Sequence, residues 1–288
     1  MGESHSKRDY KVSTSGATTE RKEEEQPYQF KAFAEKFESI EMVTDGLRKA
    51  GLESSNLIIG IDFTISNTDA GKNTFGGLSL HSITNRPELQ NPYQAAISVI
   101  GRTLNSFDDD KKIPVFGFGD AVSKDKAVFS LAPPGSETCN GFEDVLKRYA
   151  EVAPQIKLAG PTSFAPLINQ AIQIVSKTKQ YHILLILADG MVTPNTEFSD
   201  CTSRTVQAIV DASSYPLSII MVGLGDGPWD LMNSWDSGLP ARRFDNFRFV
   251  PFADVWNQAH GSPEQKDTNF AIAALQEAGS KLSRDMIS

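Results

Sequence analysis

Five oxygen-bearing residues have the types and spacing for a common chemistry. They are Asp62, Thr64 and Ser66 in the run Asp62-Phe63-Thr64-Ile65-Ser66-Asn67, Thr162 in Gly160-Pro161-Thr162-Ser163, and Asp189 in Ala188-Asp189-Gly190. Side chains alternate along an extended segment, so a carboxylate and two hydroxyls at every second position of 62–66 point the same way. Two carboxylates and three hydroxyls form a hard oxygen set, which suits Mg²⁺ with its roughly six oxygen ligands and its retained waters. Magnesium is the expected metal, with manganese and calcium as alternatives. Two acids against a divalent cation would leave positive character and an open position, where an acidic residue of a partner protein completes the shell. This is binding chemistry, without a general base, an activated nucleophile or an organic cofactor, so no catalytic residue is assigned.

The elements around these residues must bring three loops together. Continuous apolar runs without alternation read as strands buried on both faces at 56–63, 113–118, 182–188 and 217–222, with a weaker one at 247–252. Between them lie helical stretches at 93–104, 142–152, 164–178 and 203–212, followed by a C-terminal helix at 267–282. Phe30, Phe33, Phe37, Ile40, Val43 and Leu47 recur every three or four residues and predict a further helix ending near Gly51. Buried strands alternating with amphipathic helices predict an α/β fold, doubly wound, with a mostly parallel central sheet and helices on both faces. In such sheets ligands collect beyond the carboxyl ends of the strands, which is where Asp62, Thr162 and Asp189 fall. Residues 1–26 are polar and read as a tail, and residues 27–288 as one domain. The stretch 68–92 reads as an irregular connection and 132–140 as a surface turn.

Other features favour plainer explanations. Either Asp62 or Asp189 alone would be an ordinary strand-end aspartate capping a turn, and Asp120 in Gly119-Asp120 reads as a turn former. Gly223-Leu224-Gly225-Asp226-Gly227 lacks the third glycine of a dinucleotide fingerprint, and Gly71-Lys72-Asn73-Thr74 lacks the spacing of a phosphate loop. His81, His182 and His260 are scattered, so packed or solvated histidines are expected. Trp229, Trp235 and Trp256 read as packing residues.

The bulk properties narrow the partners. The 288 residues are 40% hydrophobic with a formal net charge of −8, and no basic face is present for nucleic acid. Cys139 and Cys201 are the only cysteines and sit among polar and turn-forming residues. They cannot build a disulfide framework or a four-ligand zinc site, so a reducing compartment is expected. No apolar run reaches the roughly 18 residues of a membrane span, and no secretory signal opens the chain. Met1-Gly2-Glu3-Ser4-His5-Ser6 matches an N-myristoylation pattern at Gly2, with Lys7 and Arg8 behind it. The expected location is cytoplasmic, with the nucleus as an alternative, and peripheral contact with the plasma membrane if Gly2 is lipidated.

Asp62-x-Thr64-x-Ser66, Thr162 and Asp189-Gly190 together resemble the metal-ion-dependent adhesion site of von Willebrand A domains, in the variant found in copines. Gly117-Phe118-Gly119-Asp120, the segment 158–166, Gly223 to Asp230 and Phe244-Asp245-Asn246-Phe247 resemble the copine-type domain as well, so the likeness spans roughly 30–282. It is most similar to plant ubiquitin ligases that place such a domain before a C-terminal RING finger and begin with a Met-Gly lipidation signal. The resemblance implies a metal-dependent interaction module linked to ubiquitination machinery. A RING needs eight Cys/His ligands, and no cysteine follows Cys201. The alternative reading is therefore the A-domain portion, or a truncated form, of a RING ligase. A metal-dependent phosphohydrolase with Asp62 as nucleophile is a distant alternative, because Thr64 stands where its acid/base aspartate would be.

Overall fold

The computed structural model describes residues 56–84, 89–104, 110–190, 192–197, 199–258 and 262–275. The tail, Gly2, the helix expected at 30–51 and the end of the C-terminal helix lie outside them. The central sheet contains β1 (Asn56–Asp62), β3 (Val115–Phe118), β4 (Phe129–Ser130), β6 (His182–Ala188), β7 (Leu217–Gly223) and β8 (Phe247–Pro251), in the order β4-β3-β1-β6-β7-β8. All neighbours are parallel except the edge pair β3 and β4. A two-stranded antiparallel ribbon of β2 (Lys112–Ile113) and β5 (Cys139–Asn140) stands apart. The helices are α1 (Pro92–Leu104), α2 (Gly141–Val152), α3 (Ala165–Thr178), α4 (Cys201–Ala212), α5 (Asp230–Gly238), α6 (Phe252–Gln258) and α7 (Pro263–Leu275).

The central strands are apolar throughout because both faces are covered. Leu57, Ile59 and Ile61 of β1 join Ile97 and Ile100 of α1, Tyr149 of α2 and Phe270 of α7 in one core. Ile58 joins Leu167 and Ile168 of α3 and Ile209 of α4 in the other. On that second side α3 comes so close that a Cβ at Gly60 would lie 2.0 Å from Leu167 Cδ2. The glycine in the middle of β1 is therefore a packing requirement, set by the helix that leads away from Thr162.

Several local expectations change. The run at 113–118 divides at Pro114, which has no N–H for a ladder, so Ile113 pairs with Cys139 and Val115 with Ile59. The turn region at 132–140 ends in β5, and residue 252 starts α6 instead of closing β8. The edge strand β4 and the helix α5 carry too few residues for a visible period. Cys139 and Cys201 are both free and buried, in contrast to their polar sequence surroundings, and burial pushes the Cys139 thiol up to about 11.

Candidate metal centre

Numbered by their occurrence within the sheet, the six strands run 3-2-1-4-5-6, so the order reverses between β1 and β6. That is the switch point where an open α/β sheet leaves a crevice at its carboxyl edge. Asp62 is the last residue of β1 and Asp189 follows the last residue of β6, with Ile61 and Leu187 paired just before them. Neighbouring strands lie about 4.8 Å apart, so the two carboxylates emerge side by side. Asp62, Thr64 and Asp189 are buried, at 0%, 1% and 2% exposure, and Ser66 is exposed.

The convergence of Thr64 and Ser66 has a different cause from simple alternation. The strand stops at Asp62, Thr64 stays extended, and Ile65–Thr68 tighten into a 3₁₀ turn. Asp62 Oδ1 accepts a hydrogen bond from the Thr64 N–H at 2.8 Å, which bends the chain back over the strand end. Thr64 Oγ1 and Ser66 Oγ then meet at 3.0 Å. The Ser66 and Asp62 side chains also lie near enough to the Asp189 carboxyl to lower it against the effect of burial. These four residues form one cluster.

Thr162 reaches the same edge by another route. Its N–H donates to Thr193 Oγ1 at 2.8 Å and its carbonyl accepts from the Thr193 N–H at 2.9 Å, fastening the loop before α3 to the loop after β6. Ala159 in turn bridges to Thr64 and accepts the Ile65 N–H. Thr162 is thus held, buried, on the adjoining loop, while its side chain makes none of the hydrogen bonds that link the other four.

The electrostatics of the pair are unbalanced. Asp62 Oδ2 and Asp189 Oδ2 are both buried and have no hydrogen-bond partner. Burial, and then the charge of Asp189, lifts the Asp62 carboxyl well above its ordinary value against the lowering effect of Thr64. Burial likewise lifts Asp189, against the Ser66 hydrogen bond. An unpartnered buried carboxylate is destabilising by several kcal/mol in effective terms, and two facing each other compound that. The donor set fits a hard divalent cation, because a cation would satisfy both orphaned oxygens and remove the repulsion. No group of three or more His, Cys, Asp or Glu suited to a metal occurs among the described residues. A site here would depend on its hydroxyls.

A buried polar network stands behind Asp62. Its backbone carbonyl is contacted by His81 Nε2 at 2.7 Å, by Tyr93 Oη at 3.1 Å and by Asn67 Nδ2 at 3.4 Å. Tyr93 also donates to Asn67 Oδ1 at 2.7 Å, and Asn67 Nδ2 donates to the Thr64 carbonyl at 3.1 Å. The His81 ring is sandwiched between Phe63 and Tyr93, with centroids at 4.7 and 4.2 Å. Burial holds its pKa down to about 4, so the ring is neutral at pH 7, donates from Nε2 and leaves Nδ1 to accept from Tyr149 Oη at 2.9 Å. His81 is the packed histidine that the sequence suggests, and it also holds the Asp62 backbone at the end of β1. Its place 19 residues downstream in an irregular connection gave no periodic signal.

Two neighbouring turns complete the edge. Gly119, at φ +81°, lies against the site: a Cβ there would be 2.3 Å from Thr64 Cγ2 and 3.4 Å from Asp62 Oδ1. Asp120 spends its carboxylate on the N–H groups of Val122 and Ser123 and on the Ser123 hydroxyl, which makes it the expected turn former. Asp226 accepts from the N–H groups of Asn73 and Thr74 at 2.8 and 2.9 Å, and from the Thr74 hydroxyl. The glycine-rich 223–227 segment is therefore a clasp on the 69–77 loop.

With this geometry in hand, comparison with known proteins is direct. A family model described as Copine matches residues 79–286. E3 ubiquitin-protein ligase RGLG1 of Arabidopsis thaliana is 50% identical over 254 residues, covering 86% of this chain and 51% of that protein. Copine family protein 1 of Caenorhabditis elegans is 46% identical over 239 residues, covering 83% of this chain and 21% of that protein. Among solved structures, a von Willebrand factor type A protein from Catenulispora acidiphila is 13% identical, with a TM-score of 0.42 over 79% of this chain and 42% of that one. The chain spans about half the length of the ligase relative it matches. A family match over most of its residues, joined to these identities, shows that the chain belongs to the copine family, whose von Willebrand A-like domain it carries.

Proposed function

We propose that this domain binds a partner protein through a divalent cation, magnesium in the first place, held by Asp62, Thr64, Ser66, Thr162 and Asp189. The observation that carries this reading is the pair of buried, unpartnered oxygens Asp62 Oδ2 and Asp189 Oδ2 at the switch point of the sheet. When bound, the cation would supply a positive, partly hydrated face able to take a carboxylate from the partner. The chain's own residues do the rest. Asp62 and Asp189 would hold the ion and the three hydroxyls would add neutral ligands, while the His81, Tyr93 and Asn67 contacts hold the Asp62 backbone in place. A phosphohydrolase is less well served, because Thr64 turns its hydroxyl to Ser66 and offers no acid/base group two residues after Asp62.

The domain further serves ubiquitin-ligase signalling by recruiting partners, a reading supported by relatives named as E3 ubiquitin-protein ligases at about half identity. The same identity supports the alternative that the chain is the A-domain part, or a truncated form, of a RING ligase. Myristoylation of Gly2 would move a cytoplasmic or nuclear protein to the plasma membrane. The test is affinity capture on the immobilised chain in Mg²⁺ and in chelator, with Asp62→Ala beside wild type. Components of the ubiquitination machinery should be retained by wild type in Mg²⁺ alone. Equal recovery in all arms would overturn metal-dependent recruitment.

A further inference from the structure

The rim of the centre is uneven, and the unevenness has a chemical sense. The 119–124 turn closes on itself through the Gly119 N–H and the Lys124 carbonyl and abuts Thr64 and Asp62 at Gly119. At its tip Val122 is 90% exposed, the most exposed of the large hydrophobic residues described. Lys124, held at φ +49°, is exposed, as are Lys126 and Lys157. Lys157 belongs to the same surface, since its carbonyl accepts the Ala121 N–H at 2.9 Å.

Both acids on this flank are already engaged, one by hydrogen bonds and one by an ion pair. Asp120 is taken up by its own turn, and Asp125 pairs with Arg204. Among the described residues none of the three lysine ammonium groups forms an ion pair. On the opposite flank Lys72 pairs with Asp69, and Asp226 is spent on the 73–74 backbone. A chain with a net charge of −8 thus presents a cationic and apolar lip directly beside the proposed cation. Ile65, 59% exposed, supplies a second apolar side chain on the far side of the 157–159 strip, which bridges to both Thr64 and Asp120. With strands about 4.8 Å apart, the two apolar side chains are separated by about 10 Å or more, the reach of some three or four extended residues.

We infer that the partner is an acidic protein segment: one carboxylate goes to the metal, an apolar side chain a few residues away packs on Val122, and further acids face Lys124 and Lys157. The inference rests on the metal reading above, and its occupant follows from charge complementarity between this lip and an otherwise acidic molecule. Lysines such as Lys124 and Lys157 on this rim steer acidic chains and reject basic ones. The single valine adds an apolar contact that a carboxylate alone would not select.

The experiment selects a random peptide library on the full chain in Mg²⁺, then measures the affinity of the enriched peptides for Val122→Ser, for the double variant Lys124→Glu with Lys157→Glu, and for Asp189→Ala. The expected peptides are acidic with a nearby apolar residue. They should lose about tenfold or more in affinity to the charge-reversed variant, less to Val122→Ser, and nearly all binding in chelator. Circular dichroism checks that each variant folds, and the exposed positions make unfolding an unexpected source of loss. Metal-dependent peptides that bind both flank variants as well as wild type overturn this inference and leave the metal reading standing. Peptides weakened by the flank variants yet indifferent to chelator and to Asp189→Ala support the lip and overturn the metal reading. A library that yields nothing, together with Val122-dependent binding to phosphatidylserine vesicles, overturns the peptide in favour of a membrane surface.

Discussion

Asp62 and Asp189 are buried within reach of each other, and burial first, then for Asp62 the neighbouring charge, raises both carboxyls above their unfolded values. For an acid whose folded pKa is raised, the folded state binds more protons than the unfolded state between the two values. The pair's contribution is therefore most favourable below the unfolded carboxylate range and is lost as pH rises through the folded values. In chelator at pH 7, Asp189→Asn should accordingly stabilise the domain by about 1–3 kcal/mol, because it removes one of two facing charges and keeps the shape. The gain should vanish as pH falls to about 4, where the wild-type pair is protonated. Thermal melts of both proteins across that range read the difference, and a variant less stable than wild type at pH 7 would contradict the electrostatic account. The five candidate oxygen-bearing residues fall on loops at the sheet edge where residue type and position put them, but the way Thr64 and Ser66 converge was not legible. Alternation suggested an extended run, whereas the Asp62 side chain ends the strand and the 3₁₀ turn brings the hydroxyls together.

Among the elements, the long buried strands were the most readable, since an apolar run such as that of β6 has few other uses in a chain of this charge. The pieces that escaped were short or interrupted. Pro114 splits one strand, Phe129–Ser130 holds the sheet edge with two residues, and α5 begins just after Pro228 and Trp229. Their positions are set by contacts far away in sequence, as where the Phe129 ring covers Gly117 so closely that a Cβ would lie 2.1 Å from it. Gly60 shows the same dependence, and here it acts on the site. Gly60→Ala would drive a methyl into Leu167, and although the leucine end can shift, α3 must then move relative to β1. We expect a loss of about 1–3 kcal/mol in denaturant unfolding. Weaker metal binding should accompany it, because Asp62 ends β1 and Thr162 lies just before α3. Unchanged stability would show that the packing between β1 and α3 is looser than the contact suggests. The place of His81 was hidden for a related reason: its partners Phe63, Tyr93 and Tyr149 come from three separate parts of the chain.

At the scale of the molecule, the fold gathers the candidate oxygen-bearing side chains at one edge of a chain whose net charge is −8. Under the proposed reading a cation there would complete a destabilised carboxylate pair and keep an open position for a partner's oxygen. The relatives place such a domain within longer chains, some named as ubiquitin ligases. The central claim reduces to whether this edge binds a metal with these residues. Isothermal titration of Mg²⁺ and Mn²⁺ into the chelator-stripped chain, alongside Asp62→Ala and Ser66→Ala, measures it directly. The account predicts one site per chain in wild type, binding abolished by Asp62→Ala and weakened about tenfold or more by Ser66→Ala. Equal metal affinity in wild type and Asp62→Ala, or no binding to a folded wild-type chain, would contradict it.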